Sequence, residues 1–143
     1  MMRALGLTLV AASIVGAASC GSSETCDSAL FDYGGAKSGA IWFTIVSDDA
    51  GRSLSSAQGI FLTPTPPWRN VSSPDTCYGN AAGPDIPITA TAWLDTTGEA
   101  MTNCATSDRP LCKPEPTDPQ AQQKAVLRAG EHLILHFTLV DPP

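Results

Sequence analysis

The chain has 143 residues and a formal charge of −6, with 43% hydrophobic and 6% aromatic residues. An acidic chain without a basic cluster argues against nucleic acid as a partner, because phosphate contacts need grouped Lys and Arg. The length suits one domain and leaves no room for two. At the N-terminus, Met1-Met2-Arg3 carries one positive charge, and Ala4 to Ala18 then holds only apolar or small residues. That is a signal-peptide pattern. The run of about 15 residues is shorter than the ~20 that a permanent membrane span requires, and no second run of that length follows. Residues 1–19 are therefore expected to be removed.

Ala17-Ala18-Ser19-Cys20 resembles the lipobox of bacterial lipoproteins, with Ala17 where that motif prefers Leu or Val. The resemblance implies a diacylglyceryl thioether on Cys20, cleavage before it, and acylation of the new amino group. Two or three acyl chains anchor stably where one is marginal. The competing reading is an ordinary secretory signal with Cys20 a plain thiol. Cysteine arithmetic favours lipidation: of five cysteines, lipid on Cys20 leaves Cys26, Cys77, Cys104 and Cys112, an even set for two disulfides in an oxidising compartment. Gly21-Ser22-Ser23-Glu24 begins a tether, taken as residues 20–37. Gly21 in place of the retention Asp of inner-membrane lipoproteins implies, by the same resemblance, sorting to the outer membrane.

The domain proper is expected over residues 38–143. Gly39 to Val46 alternates Ile41, Phe43 and Ile45 against Trp42, Thr44 and Val46, and stops at Ser47-Asp48-Asp49-Ala50-Gly51. Ile60-Phe61-Leu62 is a shorter strand closed by Pro64, Pro66 and Pro67. Ile88 to Leu94 sets Ile88, Ala90, Ala92 and Leu94 against Thr89, Thr91 and Trp93, ending in the turn composition Asp95-Thr96-Thr97-Gly98. Lys124 to Arg128 and Gly130 to Val140 read as a terminal hairpin about the turn Ala129-Gly130-Glu131, with Leu133, Leu135, Phe137 and Leu139 on one face. A short helix over Ala121 to Arg128 is the alternative for the first arm. Twelve prolines and twelve glycines leave little room for helices elsewhere.

Ile86 to Asp95, the acidic loop after it, and Val126 to Glu131 look like the prealbumin-type sandwiches called transthyretin-like or carboxypeptidase regulatory-like domains. This likeness covers roughly the last 55 residues. It implies an all-β fold, a small Greek-key β-sandwich stapled by disulfides, and a binding or accessory role in place of catalysis. Of the three possible disulfide pairings, Cys104 with Cys112 closes a compact loop and Cys26 with Cys77 ties the start of the domain to its middle.

Functional candidates are few. Thr65-Pro66-Pro67-Trp68-Arg69 is a stiff loop presenting an indole, and Trp42 and Trp93 share the face opposite the aliphatic residues of their strands. Exposed together, Trp68, Trp42 and Trp93 would make a carbohydrate-binding face. The blander reading has the segment from Asp48 to Pro84 fold over Trp42 and Trp93 as a second small core. Asp95, Glu99, Asp108, Glu115 and Asp118 crowd one loop region, which is either a solvated acidic loop or a calcium site without EF-hand spacing. His132 and His136 stand about 13 Å apart on one strand face, too far for one ion, and without a C-x-x-C pair no metal or cofactor is expected. No G-x-S-x-G or H-E-x-x-H is present, and Gly34-Gly35-Ala36-Lys37-Ser38 lacks the spacing of a phosphate loop. The expectation is a lipid-anchored cell-envelope protein with a non-catalytic binding or structural sandwich, its partners the membrane, other envelope proteins or glycans. The alternatives are the carbohydrate module and an accessory domain or cryptic hydrolase.

Overall fold

Alternate residues of the long strands face one shared core, as the period of an extended chain requires. The computed structural model describes residues 24–49, 55–60, 64–78, 85–104 and 112–143. The expected signal peptide, Cys20 and the turn glycine Gly51 lie outside these. Among the described residues, eight strands and one short helix follow in chain order: β1 (Thr25–Tyr33), β2 (Ala40–Ser47), β3 (Ser55–Ile60), β4 (Trp68–Ser72), β5 (Thr76–Tyr78), β6 (Ile86–Asp95), α1 (Glu99–Asn103), β7 (Gln120–Leu127) and β8 (His132–Leu139). They form two four-stranded sheets. In the first, β1 is central, with β8 parallel on one side and β4 and β5 antiparallel on the other; the second runs β3-β2-β6-β7, all antiparallel.

The sheets share one core. Ala29, Phe31 and Tyr33 of β1 and Leu135, Phe137 and Leu139 of β8 meet Ile41, Phe43 and Ile45 of β2 and Ile88, Ala90, Ala92 and Leu94 of β6. Phe31 stacks on Phe137 within its own sheet at 5.7 Å and touches Phe43 of the other sheet at 5.8 Å. The inward faces of β2, β6 and β8 are those that alternation assigned. Ser73 bridges the gap between β4 and β5, its hydroxyl accepting from Ala29 N–H at 2.7 Å and its own N–H donating to Ala29 O at 2.8 Å. Both disulfides of the favoured pairing are formed, Cys26–Cys77 directly across the β1–β5 register and Cys104–Cys112 after α1.

Two expectations need correction. The sandwich begins at Thr25, so half of the expected tether of residues 20–37 is a central strand. Its inward positions open with Thr25 and Asp27, both fully buried, and two polar residues on the core face hide the alternation that Ala29, Phe31 and Tyr33 continue. Thr25 satisfies its hydroxyl on Arg128 O at 2.9 Å. The terminal hairpin is also different: β7 and β8 are joined at Gly130, whose φ of +75° suits glycine, yet they belong to opposite sheets. The turn carries the chain across the sandwich, and the two strands meet again at the Gln120–Val140 bridge and where Gln123 Nε2 donates to His136 O at 3.3 Å. The first arm is the strand expected there, β7, and not the alternative helix over Ala121 to Arg128; α1 lies elsewhere, in the acidic loop.

Candidate functional site

All three tryptophans are buried, with exposures of 3% for Trp42, 6% for Trp68 and 1% for Trp93, so none offers an open stacking face. Trp42 and Trp93 stand opposite each other in the β2–β6 register on the outer face of their sheet. Uncovered, they would make a large apolar patch. The cover is Ala100 of α1, with Ala40, Cys104 and Cys112 packed against the pair, and the segment from Asp48 to Pro84 contributes Gly59, over which the Trp42 ring lies. A second small core does exist, built by the Cys104–Cys112 disulfide and α1.

The acidic loop holds this cover in place. Asp95 is buried; its Oδ1 accepts from Gly98 N–H at 2.9 Å and from Thr97, and its Oδ2 accepts from Ala100 N–H at 3.0 Å. It thereby supplies the acceptor that Gly98, at the N-cap of α1, has no side chain to provide. Asp118 is equally buried and accepts from Thr96 N–H, the Thr96 hydroxyl and Glu115 N–H. These two carboxylates are spent on backbone donors and do not form a solvated cluster. Glu99 and Glu115 remain toward solvent, and a hydrogen bond to the Glu115 carboxyl, together with its charge, raises Glu99 above the ordinary carboxylate range. Asp108 lies outside the described residues. Among the described residues, one group of three metal-ligating side chains converges, Glu24 with Cys26 and Cys77, and its two sulfurs are joined to each other.

The histidines face solvent on β8, each beside a carboxylate. His132 Nε2 lies 3.1 Å from Ser28 Oγ and 3.6 Å from Asp75 Oδ1. Ser, His and Asp are thus together, but both partners approach the same ring nitrogen. A relay needs the acid on one nitrogen and the nucleophile on the other, so this trio is not set up as a triad. His136 Nε2 lies 3.0 Å from Asp32 Oδ2.

Asp32 opens onto a cleft of about 280 Å³ at the far end of the first sheet, lined by Asp32, Tyr33, Gly34, Trp68, Arg69 and Thr138. Register builds it. Thr138 sits beside Asp32 in the parallel pair, and Trp68 sits beside Tyr33 in the antiparallel one. Between the Phe31–Val71 and Tyr33–Trp68 pairings β4 carries an extra residue, accommodated by a bulge with Asn70 at φ 52°. Asn tolerates this left-handed conformation better than most residues, and bulges re-aim side chains at sheet ends. The bulge turns Asn70 N–H onto Asp32 Oδ1 at 2.7 Å. That bond, ahead of His136 and Arg69, holds the Asp32 carboxyl below its usual range despite some burial.

The floor is fixed as firmly. Tyr33 and Trp68 pack with ring centroids 5.6 Å apart. The Tyr33 hydroxyl donates to Asp141 Oδ1 at 3.0 Å and accepts from Lys37 N–H at 3.2 Å, while Lys37 Nζ donates to Thr117 O at 3.0 Å. Burial, with the bond to Asp141 and its charge, pushes the phenol above its ordinary value. A side chain at Gly35 would collide with that hydroxyl, so glycine here lets the chain pass close behind it. Sequence reasoning singled out Trp68 and the loop before it but missed Asp32, Tyr33 and Thr138. The available signal was Asp32-Tyr33 running into Gly34-Gly35, a strand end beside a turn. No protein-family model matches the chain, and neither a curated protein nor a solved structure does.

Proposed function

We propose that this chain is an exported lipoprotein, anchored through lipid on Cys20, whose sandwich is a non-catalytic binding module of the cell envelope. The observation that carries the reading is the cysteine pairing. Cys26, Cys77, Cys104 and Cys112 are joined in two disulfides, which belong in an oxidising compartment and leave Cys20, at the end of a signal-like leader, for the anchor. The two-sheet fold supports a β-sandwich, while the prealbumin-type reading and outer-membrane sorting, the latter through Gly21, rest on resemblance.

The direction of the strands gives the anchor a consequence. β1 starts within five residues of Cys20, and β8 runs parallel to it, so both lead away from the tether toward the cleft. Nine residues of β1 span about 26 Å. The cleft therefore sits at the end of the domain remote from the lipid and faces partners other than the anchoring bilayer. Expression of a Cys20→Ala variant tests the anchor: the wild type should fractionate with detergent-extractable membranes and the variant with soluble exported protein. An unchanged distribution would refute it. A photo-crosslinker at Thr138 should capture a partner that one at Lys124, on the other sheet, does not.

A further inference from the structure

Resting on the reading of the cleft as the binding site, we propose that it takes a small zwitterion, a free α-amino acid or a molecule of that size, with the ligand carboxylate on Arg69 and its ammonium on Asp32. Charge accounting supports this. Lys37, Lys124 and Arg128 each pair with an acidic neighbour: Asp141, Asp48, and Asp85 with Glu131; Lys113 is exposed without an ion pair among the described residues but does not line the cleft. Arg69 lies close enough to act on Asp32 through space but its guanidinium makes no hydrogen bond or salt bridge among the described residues. Asp32 is occupied instead by Asn70 N–H and His136 Nε2. Arg69 lines the cleft with its guanidinium uncommitted to a protein carboxylate by hydrogen bond, and such a fork takes a ligand carboxylate through two parallel bonds.

Asp32 keeps capacity for a second charge. A carboxylate has about four lone-pair positions, and two are used. The same cleft therefore presents one cation held by no hydrogen bond and one fixed anion, with Thr138, Tyr33 and Trp68 completing its lining. A ligand with a single charge would satisfy one group and strip water from the other. A neutral sugar would desolvate both. A zwitterion compensates the two together, which is how charge complementarity sets specificity. The volume of about 280 Å³ is at the small end for ligand sites and suits one amino acid, not a chain of them.

Calorimetric titration of the detergent-extracted full chain with the common free L-amino acids tests the proposal. At least one should bind, with its N-acetyl and amide derivatives each roughly 10- to 100-fold weaker, as expected for loss of one charge-assisted contact. Arg69→Met leaves the internal hydrogen bonds in place, so it should fold normally. It should weaken the amino acid and its N-acetyl form but leave the amide unchanged. Asp32→Asn should do the reverse. Derivatives that bind as tightly as the parent would overturn the zwitterion, as would D-glucose binding where amino acids do not; in both cases the cleft would stand as a site. If no small ligand binds and Arg69→Met leaves partner capture at Thr138 intact, the zwitterion fails while the partner surface survives. Loss of that capture with no cleft ligand found would also reject it.

Discussion

Removing the two disulfides separately should cost the domain unequal amounts, in an order set by the loops they close. Cys26–Cys77 joins residues 51 apart and Cys104–Cys112 joins residues 8 apart. In the chain-entropy model these closures contribute about 4 and about 2.5 kcal/mol. The paired substitution Cys26→Ser with Cys77→Ser should therefore lose about 1.5 kcal/mol more than Cys104→Ser with Cys112→Ser in guanidinium-induced unfolding. Structure adds a second signature. Cys104 and Cys112 pack against the Trp42–Trp93 pair, so their loss should shift tryptophan emission to the red in the native state. Cys26–Cys77 instead secures β5, which pairs with β1 through three positions, and its loss should speed amide exchange in Thr76–Tyr78. A reversed order of stability, or an unshifted emission after loss of Cys104–Cys112, would refute this assignment of roles.

Three further substitutions probe the cover and the acidic loop. In Gly59→Ala the new methyl would lie 2.7 to 2.9 Å from three atoms of the Trp42 ring, which is confined from above, so a loss of about 1 to 3 kcal/mol is expected in urea; a neutral effect would mean the indole is free to move. Asp95→Ala leaves the Gly98 and Ala100 N–H groups without their acceptor and should cost about 2 to 3 kcal/mol, with greater quenching of Trp93 by added iodide. Glu99→Gln concerns pH. A carboxyl raised in the folded state binds its proton more tightly there than in the unfolded chain, so its stabilising share is complete in acid and is lost as pH rises through the folded value. The variant should melt higher than wild type at neutral pH, the difference closing in acid; a difference independent of pH would rule out the carboxyl pair as its cause.

Alternation made β2, β6 and β8 legible, because each places apolar residues at alternate positions facing the core with little interruption. β1 was hidden by Thr25 and Asp27 on its inward face, and β4 and β5 by their brevity and the proline loop before them. The hairpin expectation failed because a local turn such as Ala129-Gly130-Glu131 says where a chain reverses but not which sheet receives it. β8 instead pairs with a strand more than a hundred residues earlier in the chain. The tryptophans misled for a related reason: Trp42 and Trp93 do point outward from their sheet, and what buries them is a cover held by Asp95 and a disulfide. The cleft was illegible because its lining comes from three strands joined only by register.

Intact-mass spectrometry of the protein extracted from membranes tests the proposed lipid on Cys20. The predicted mass is that of the chain from Cys20 onward with both disulfides formed, increased by a diacylglyceryl group and, where the amino terminus is acylated, one further acyl chain. A bare amino terminus at or near residue 20, or a chain retaining Met1, would contradict it.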